Sequence, residues 1–358
     1  MKTLRIGLLL ISHGWGGAEE TVYQLVKQYV KLNLNVSLFL NDEMVDCFAD
    51  LKRLSIYRLG TTNCRNKLFI LYSYFNMRRN LIKILKTQPF DLIHVHLGGS
   101  LQVYFGLVDK FKIPVLLNLH GSEIYNYYVR ESLLDYWLIK KMLEKVKVII
   151  SPSQWQIQNL PNNFKSKTVI IHNGINNQEF KPLKVKKETK VILFVGRFIE
   201  LKGISELIEV AKQLPHYRFW FAGCGPLAKL INLKNTDNLG FKNRKELIGL
   251  YNQATICCFP SHREAFGIAG LEAMACGRPV ITTELGFSEF IENDKDGIIV
   301  EVKNTEMLRK TIVKLMENPQ LRQQLGKNAR EKALKLNWQE IAQKYSRIYK
   351  TTLTNCSN

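Results

Sequence analysis

Residues 255–283 read TICCFPSHREAFGIAGLEAMACGRPVITT. Thr255–Phe259 is a short apolar run of strand length. Ala269–Ala275 is apolar on nearly every face, as a helix packed on a sheet would be, and Val280–Thr283 is a second short run. Strand, loop, helix, strand within thirty residues is a βαβ unit, which joins parallel strands by a helical crossover. The same alternation extends outward in both directions. Upstream lie a strand at Val191–Val195, a helix at Ile204–Gln213, a strand at Arg218–Ala222 and a helix at Lys245–Asn252. Downstream, Met307–Met316, Pro319–Leu334 and the amphipathic stretch Trp338–Leu353 read as helices. The first half repeats the theme, with strands at Ile6–Ile11, Val36–Leu40, Leu92–Val95, Val115–Leu119 and Val148–Ser151. Helices are expected at Glu19–Lys31 and Glu131–Lys145. The expected class is α/β, with parallel sheets covered by helices on both faces. Lys181–Lys190 is charged, carries a proline and interrupts the pattern, as an exposed connection between two halves would.

Composition narrows the function classes. A chain of 358 residues with 46% hydrophobic and 23% charged residues excludes a mainly disordered or collagen-like protein and can bury a core without disulfides. No apolar run is long enough to span a bilayer. Met1–Ile11 superficially resembles a signal peptide but has no small-x-small cleavage site, and reads better as a first buried strand. Seven cysteines, Cys47, Cys64, Cys224, Cys257, Cys258, Cys276 and Cys356, contain no C-x-x-C pair, so reduced thiols in a cytoplasmic protein and no structural metal are expected. The net charge is +20, of which residues 1–187 carry +13. Between Leu51 and Phe90 there are nine basic residues and no acidic one. Arg53, Arg58, Arg65, Lys67, Arg78, Arg79, Lys83 and Lys86 are interleaved there with Tyr57, Phe69, Tyr72, Tyr74 and Phe75. This is either a solvated basic face or a surface for phosphates or an anionic leaflet. No recognised nucleic-acid module accompanies it.

In open parallel sheets ligands bind at the carboxyl ends of strands, so the residues after each strand are the candidates. His13-Gly14-Trp15-Gly16-Gly17-Ala18-Glu19 follows the first strand, and its glycines permit close backbone approach to a phosphate or sugar. It fits a dinucleotide fingerprint imperfectly, because Glu19 stands where the third glycine would, although Asp42 follows the second strand as a ribose-binding acid would. His120 emerges where a strand ends, in His120-Gly121-Ser122-Glu123. His94 and His96 flank Val95 and share one side of their strand, which suits a structural or acceptor-lining role better than a metal site. After Val195 come Arg197 and Lys202, a planar fork and a point charge able to clamp a diphosphate. Gly223-Cys224-Gly225-Pro226 ends another strand. Glu264 precedes the helix that contains Glu272, and the N–H groups of Phe266, Gly267 and Ile268 fall at that helix's positive end. Glu272, amid Leu271, Ala273, Met274 and Ala275, needs a partner. Helix capping by Glu264 and an ordinary exposed Glu272 is the plain alternative.

Together these segments resemble the family 4 glycosyltransferases, retaining enzymes of the glycosyl transferases group 1 type with the GT-B fold. The resemblance rests on Gly16-Gly17-Ala18-Glu19, His120-Gly121-Ser122-Glu123, His172-Asn173-Gly174-Ile175, Val195-Gly196-Arg197 with Lys202-Gly203, and above all the Glu264…Glu272 pair around Phe266-Gly267. It spans nearly the whole chain. It implies two Rossmann-like parallel-sheet domains facing each other across a cleft: residues 1–185 for the acceptor, 186–337 for a nucleotide-sugar, and a helix over 338–358 crossing back to the first domain as part of a hinge. It also implies that Glu272 holds ribose hydroxyls and that Arg197 and Lys202 neutralise the departing diphosphate. Glu264 with the Phe266, Gly267 and Ile268 backbone would hold the donor sugar, His120 would contact that sugar, and Gly16 and Gly17 would approach the phosphates. No metal cofactor is expected, since two cations, Arg197 and Lys202, serve the diphosphate. The expected acceptor is a glycan, lipid-linked by likeness to many such enzymes, met on the inner face of the cytoplasmic membrane through the basic stretch. Nucleic acid is not an expected partner. A sugar-nucleotide epimerase of the same fold and a non-catalytic sugar-nucleotide-binding protein are the competing classes.

Overall fold

A computed structural model gives the structure of the chain and describes residues 4–52, 54–62, 67–96, 100, 103–104, 107–121, 140–158, 160–185 and 190–357. Two compact units emerge. One comprises Met1–Asn173 with Trp338–Asn358, the other Gly174–Asn337.

The first unit is a seven-stranded parallel sheet. Its strands are β1 (Arg5–Leu10), β2 (Asn35–Leu40), β3 (Ser55–Arg58), β4 (Leu92–His96), β5 (Val115–Asn118), β6 (Val148–Ser151) and β7 (Thr168–Ile170), in the order β3-β2-β1-β4-β5-β6-β7. β1 pairs in parallel with both β2 and β4, Leu8 lying opposite Leu38 and His94. The centre of the sheet is apolar on both faces, with Leu8, Leu9, Leu38, Phe39, Ile93, Val95, Leu116 and Leu117 all buried. This is the demand of a sheet covered by helices on each side, and it is why these strands read as continuous apolar runs. The second unit is a six-stranded parallel sheet of β8 (Val191–Val195), β9 (Arg218–Ala222), β10 (Thr236–Gly240), β11 (Ile256–Phe259), β12 (Val280–Thr283) and β13 (Ile298–Val300), in the order β10-β9-β8-β11-β12-β13.

The interior strands fall where the apolar runs place them. The sequence reading lacks β3, β7, β10 and β13, the four edge strands of the two sheets, three of them half-exposed with no long buried run. It also lacks the helix Lys67–Thr87, which it registered only as a basic, aromatic stretch. Of the helix expected at Glu131–Lys145, residues 131–139 lie outside the described residues; 140–145 are helical.

The units divide at Asn173, upstream of the charged stretch taken as the connection. Hydrogen bonds give the reason. Ile175 N–H donates to Leu336 O at 2.7 Å, and the Asn252 side chain bonds both the Lys181 carbonyl (3.0 Å) and the Leu183 N–H (2.8 Å). Residues 175–183 are therefore tied into the second unit; residues 186–189 of the stretch lie outside those described. The last helix, Trp338–Ser357, packs in the first unit. Trp338, Ile341, Ala342, Tyr345 and Tyr349 are buried, at the three-to-four spacing of one helix face.

Candidate active site

In the second sheet the strand order reverses direction between β8 and β11, so the loops after these two strands flank a topological switch point, where open α/β sheets bind ligands. Arg197 and Lys202 follow β8, and Glu264 follows β11. The two loops touch. Gly203 has φ +70°, and a Cβ there would stand 2.0 Å from the Pro260 carbonyl oxygen. Gly223, at φ +150°, would place a Cβ 1.9 Å from the Gly196 carbonyl. Glycine is needed at both because backbone meets backbone. Across this contact the Lys202 ammonium pairs with the Glu264 carboxylate, each side chain about one-fifth exposed (19% and 20%). The Arg197 guanidinium is exposed and has no ion-pair partner among the described residues. A second pair braces the loop, His262 Nε2 lying 2.7 Å from Glu206 Oε1.

The helix Ile268–Ala275 begins at Gly267, whose left-handed backbone (φ 82°) turns the chain with no capping side chain. Its first N–H groups are therefore left to a ligand or to water. Phe287 packs against this turn so closely that a Cβ on Gly270 would come within 2.6 Å of its ring. Phe266 is buried with its ring centroid 5.7 Å from that of Phe287. Its side chain is spent on packing, and the backbone is the part available at the site. Glu272 accepts a hydrogen bond of 2.8 Å from the Tyr251 hydroxyl. Burial, and next the Glu272 carboxylate, hold the Tyr251 phenol well above its ordinary range, so it remains a donor. Tyr251 is the partner that Glu272 needed. Sequence inspection misses it, because no motif links the helix Arg244–Gln253 to Glu272.

The first sheet reverses between β1 and β4. Past β1, Ser12 N–H donates to Asn41 Oδ1 (3.0 Å), and Gly16 starts the helix Gly17–Lys31 with extended backbone and no side-chain cap. A Cβ on Gly14 would meet nothing within 4 Å. The fold therefore does not itself demand glycine at 14. His120, half-buried after β5, lies 2.8 Å from His96 Nδ1 and 3.2 Å from Asn118 Nδ2, through its own Nε2. His94 and His96 are fully buried, with ring centroids 4.1 Å apart. Desolvation pushes His94 and His120 down to about 3 and holds His96 well below the ordinary imidazole range, so all three are neutral at physiological pH. Ser122 and Glu123 of the same motif lie outside the described residues. Among the described residues no group of three His, Cys, Asp or Glu is placed to hold a metal.

Residues 175–332 match the family model of glycosyl transferases group 1, and residues 15–179 that of Glycosyltransferase Family 4. An uncharacterised glycosyltransferase of Methanocaldococcus jannaschii is 30% identical over 275 residues, spanning 74% of this chain and 77% of its own. This chain belongs to the family 4 glycosyltransferases. The N,N'-diacetylbacillosaminyl-diphospho-undecaprenol alpha-1,3-N-acetylgalactosaminyltransferase of Campylobacter jejuni is 31% identical over 204 residues, 51% of this chain and 54% of its own. In fold, this glycosyltransferase is similar to the sucrose-phosphate synthase of Thermosynechococcus elongatus, with a TM-score of 0.85 at 22% identity over 98% of this chain and all of that one. It is likewise similar to Anabaena HepE solved with UDP-glucose, with a TM-score of 0.82 at 18% identity over 97% of this chain and all of that one. The fold is GT-B, built from two Rossmann-like parallel-sheet units.

Proposed function

We propose that this glycosyltransferase moves a hexose-type sugar from a nucleoside diphosphate sugar to a hydroxyl of a glycan acceptor with retention, in polysaccharide, lipopolysaccharide or glycolipid synthesis. The observation that carries the reading is the second unit's switch point, where the loops after β8 and β11 meet through the Lys202–Glu264 pair, with Arg197 on the first loop and the uncapped helix start at Gly267 and the Tyr251-bound Glu272 following the second. Glu272 takes the ribose hydroxyls, its carboxylate oriented by the hydrogen bond from Tyr251. Arg197 and Lys202 take the diphosphate. Glu264 and the backbone of Phe266, Gly267 and Ile268 take the sugar. Within the first unit, His120 contacts the sugar, and Gly16 and Gly17 serve the phosphates. The bond from C1 to the diphosphate oxygen breaks through an oxocarbenium-like state, the acceptor oxygen bonds C1 on the same face, and the acceptor proton passes to the departing phosphate. Fixed cations facing the growing phosphate charge lower the barrier, with no metal assigned to the reaction. HepE was solved with UDP-glucose, which supports a nucleotide-sugar donor.

The test is a thermal-shift panel of nucleoside diphosphates and their sugars on wild type and Glu272→Ala. One nucleotide is expected to stabilise wild type by about 2.7 kcal/mol at a hundredfold excess over its Kd, and Glu272→Ala to abolish the shift. No shift with any nucleotide would overturn the reading. Consumption of the sugar nucleotide without acceptor would point to an epimerase instead.

The acceptor is proposed to be lipid-linked, met at an anionic cytoplasmic membrane surface. The name of the Campylobacter relative, which carries diphospho-undecaprenol, supports this. So does the helix Lys67–Thr87. Its exposed residues Tyr72, Phe75, Arg79, Lys83 and Lys86 follow one another at three- and four-residue steps, a single stripe with aromatics at one end and cations at the other. Met77, Leu81 and Leu85 on the other face are buried. Tyr57 and Tyr74 instead pack against the core, so the aromatic part of this surface is narrower than the sequence suggested. Arg53 and Arg65 lie outside the described residues, and no helix among those described is long and apolar enough to cross a membrane. Each basic residue near an anionic surface is worth about 1 kcal/mol. Wild type is expected to co-sediment with phosphatidylserine-containing vesicles at low salt, and the triple change Arg79→Glu, Lys83→Glu, Lys86→Glu to remain in the supernatant. Equal sedimentation of both proteins would remove this surface from the proposal.

A further inference from the structure

His120 is the end of a buried polar chain that reaches the last helix. The Tyr345 hydroxyl lies 2.5 Å from Asn118 Oδ1. Asn118 Nδ2 lies 3.1 Å from the Leu119 carbonyl and 3.2 Å from His120 Nε2. His96 Nδ1 lies 2.8 Å from the same His120 nitrogen. Tyr345, Asn118 and His96 are buried, with 1% exposure or less.

The proton positions follow from the one group whose role is unambiguous. The Leu119 carbonyl can only accept, so the atom facing it is the Asn118 NH₂. One of that group's two protons goes to Leu119 and the other points at His120 Nε2. Its carbonyl oxygen then faces Tyr345, whose O–H must donate. A donor directed at His120 Nε2 requires a lone pair there. The short contact to His96 is satisfied in the same sense when His96 carries its proton on Nδ1 and donates, the two N–H groups sharing the single Nε2 lone pair of His120 in a three-centre bond with His96 the nearer donor. The opposite assignment sets an Asn118 N–H against a His120 N–H. It also leaves His96 with a buried, unpartnered Nε2–H, and buried orphan N–H groups are rarer than under-used acceptors. Among the described residues His96 Nε2 indeed has no hydrogen-bond partner.

We infer that Tyr345 and His96 lock His120 as the neutral Nδ1–H tautomer, so that it offers one hydrogen-bond donor, Nδ1–H, to an acceptor oxygen of the bound sugar nucleotide. Tyr345 and His96 are positioning residues that act through Asn118 and the His120 ring. The inference rests on the proposed function for the identity of the ligand, but not for the tautomer. The strong desolvation of all three histidines agrees with a neutral chain that transmits orientation rather than charge.

Two readouts separate these elements. Long-range proton–nitrogen NMR of the full chain labelled with 15N-histidine, with His120 assigned by its loss in His120→Gln, reports the tautomer without activity. A protonated Nδ1 and an unprotonated Nε2 on His120 are expected; a protonated Nε2 would overturn the inference while leaving nucleotide binding untouched. Asn118→Asp replaces the donor by a carboxylate that can only accept, and is expected to move the His120 proton to Nε2. In folded Asn118→Asp, and in Tyr345→Phe as the milder variant, kcat is expected to fall about 10- to 100-fold with the nucleotide-induced thermal shift retained. An unchanged kcat in folded Tyr345→Phe would also overturn it. Loss of the thermal shift in wild type would instead strike the proposed function and leave the tautomer measurement standing.

Discussion

Replacing Lys202 with alanine is expected to lower kcat by about 10²- to 10³-fold, the usual cost of removing one preorganised group that faces charge developed in the transition state. The argument is geometric. Lys202 is held by Glu264 at the second unit's switch point, and the loop that carries it is fixed by the contact of Gly203 with Pro260. Such a cation needs no reorganisation when phosphate charge grows. Its removal also leaves the Glu264 carboxylate, about four-fifths buried, without its partner and facing an anion. Two penalties therefore add in the transition state, and only part of the first is felt on binding. KM should change less than kcat, the pattern of an interaction that strengthens as the reaction proceeds. Lys202→Arg should restore part of the activity, since it returns charge but not the point geometry. Steady-state kinetics with the nucleotide-sugar identified by the binding panel decide it. A Lys202→Ala enzyme with wild-type kcat would remove this residue from the chemistry.

Gly203→Ala is expected to cost about 3–5 kcal/mol of stability, more than any other single change proposed for this protein. An alanine at φ +70° already pays about 1–2 kcal/mol for the left-handed backbone. Its Cβ would also stand 2.0 Å from the Pro260 carbonyl oxygen, a backbone atom that no rotamer change can move aside. Relief would require separating the loops after β8 and β11, which would pull Lys202 from Glu264. The melting temperature should fall by roughly 10 °C, with loss of nucleotide binding in whatever remains folded. Gly249→Ala is the control. It lies in the helix Arg244–Gln253, and an added Cβ would come no nearer than 4.0 Å to the Gln253 side-chain amide. It should be neutral or slightly stabilising, by about 0.5–1 kcal/mol, because alanine loses less chain entropy in a helix. Equal melting temperatures for the two variants would show that the loop contact does not carry the fold.

The candidate site divides into parts that could and could not be read along the chain. Arg197, Lys202, Glu264 and Glu272 were legible because each sits within a few residues of an apolar run, and strand ends are where parallel sheets carry their ligands. Tyr251 was not, because its bond to Glu272 joins two helices separated by β11. The Tyr345–Asn118–His120 chain was not, because it joins residues more than 220 positions apart. The pairing of His94 and His96 on one side of β4 was visible from the period of a strand. That His96 meets His120 depends on β5 lying beside β4, with His96 in register with Asn118.

Sequence alone determined what local physics enforces: the α/β class, the interior strands, the glycines where loops turn, and the motif-bearing residues that identify the family. Apolar runs and helical spacing write these into neighbouring residues. Tertiary structure alone decided the edge strands, the division at Asn173, the partners of Glu272 and His120, and which face of Lys67–Thr87 is exposed. These depend on contacts between distant segments, whose closure is set by the packing of whole sheets and helices and leaves no periodic mark on the chain.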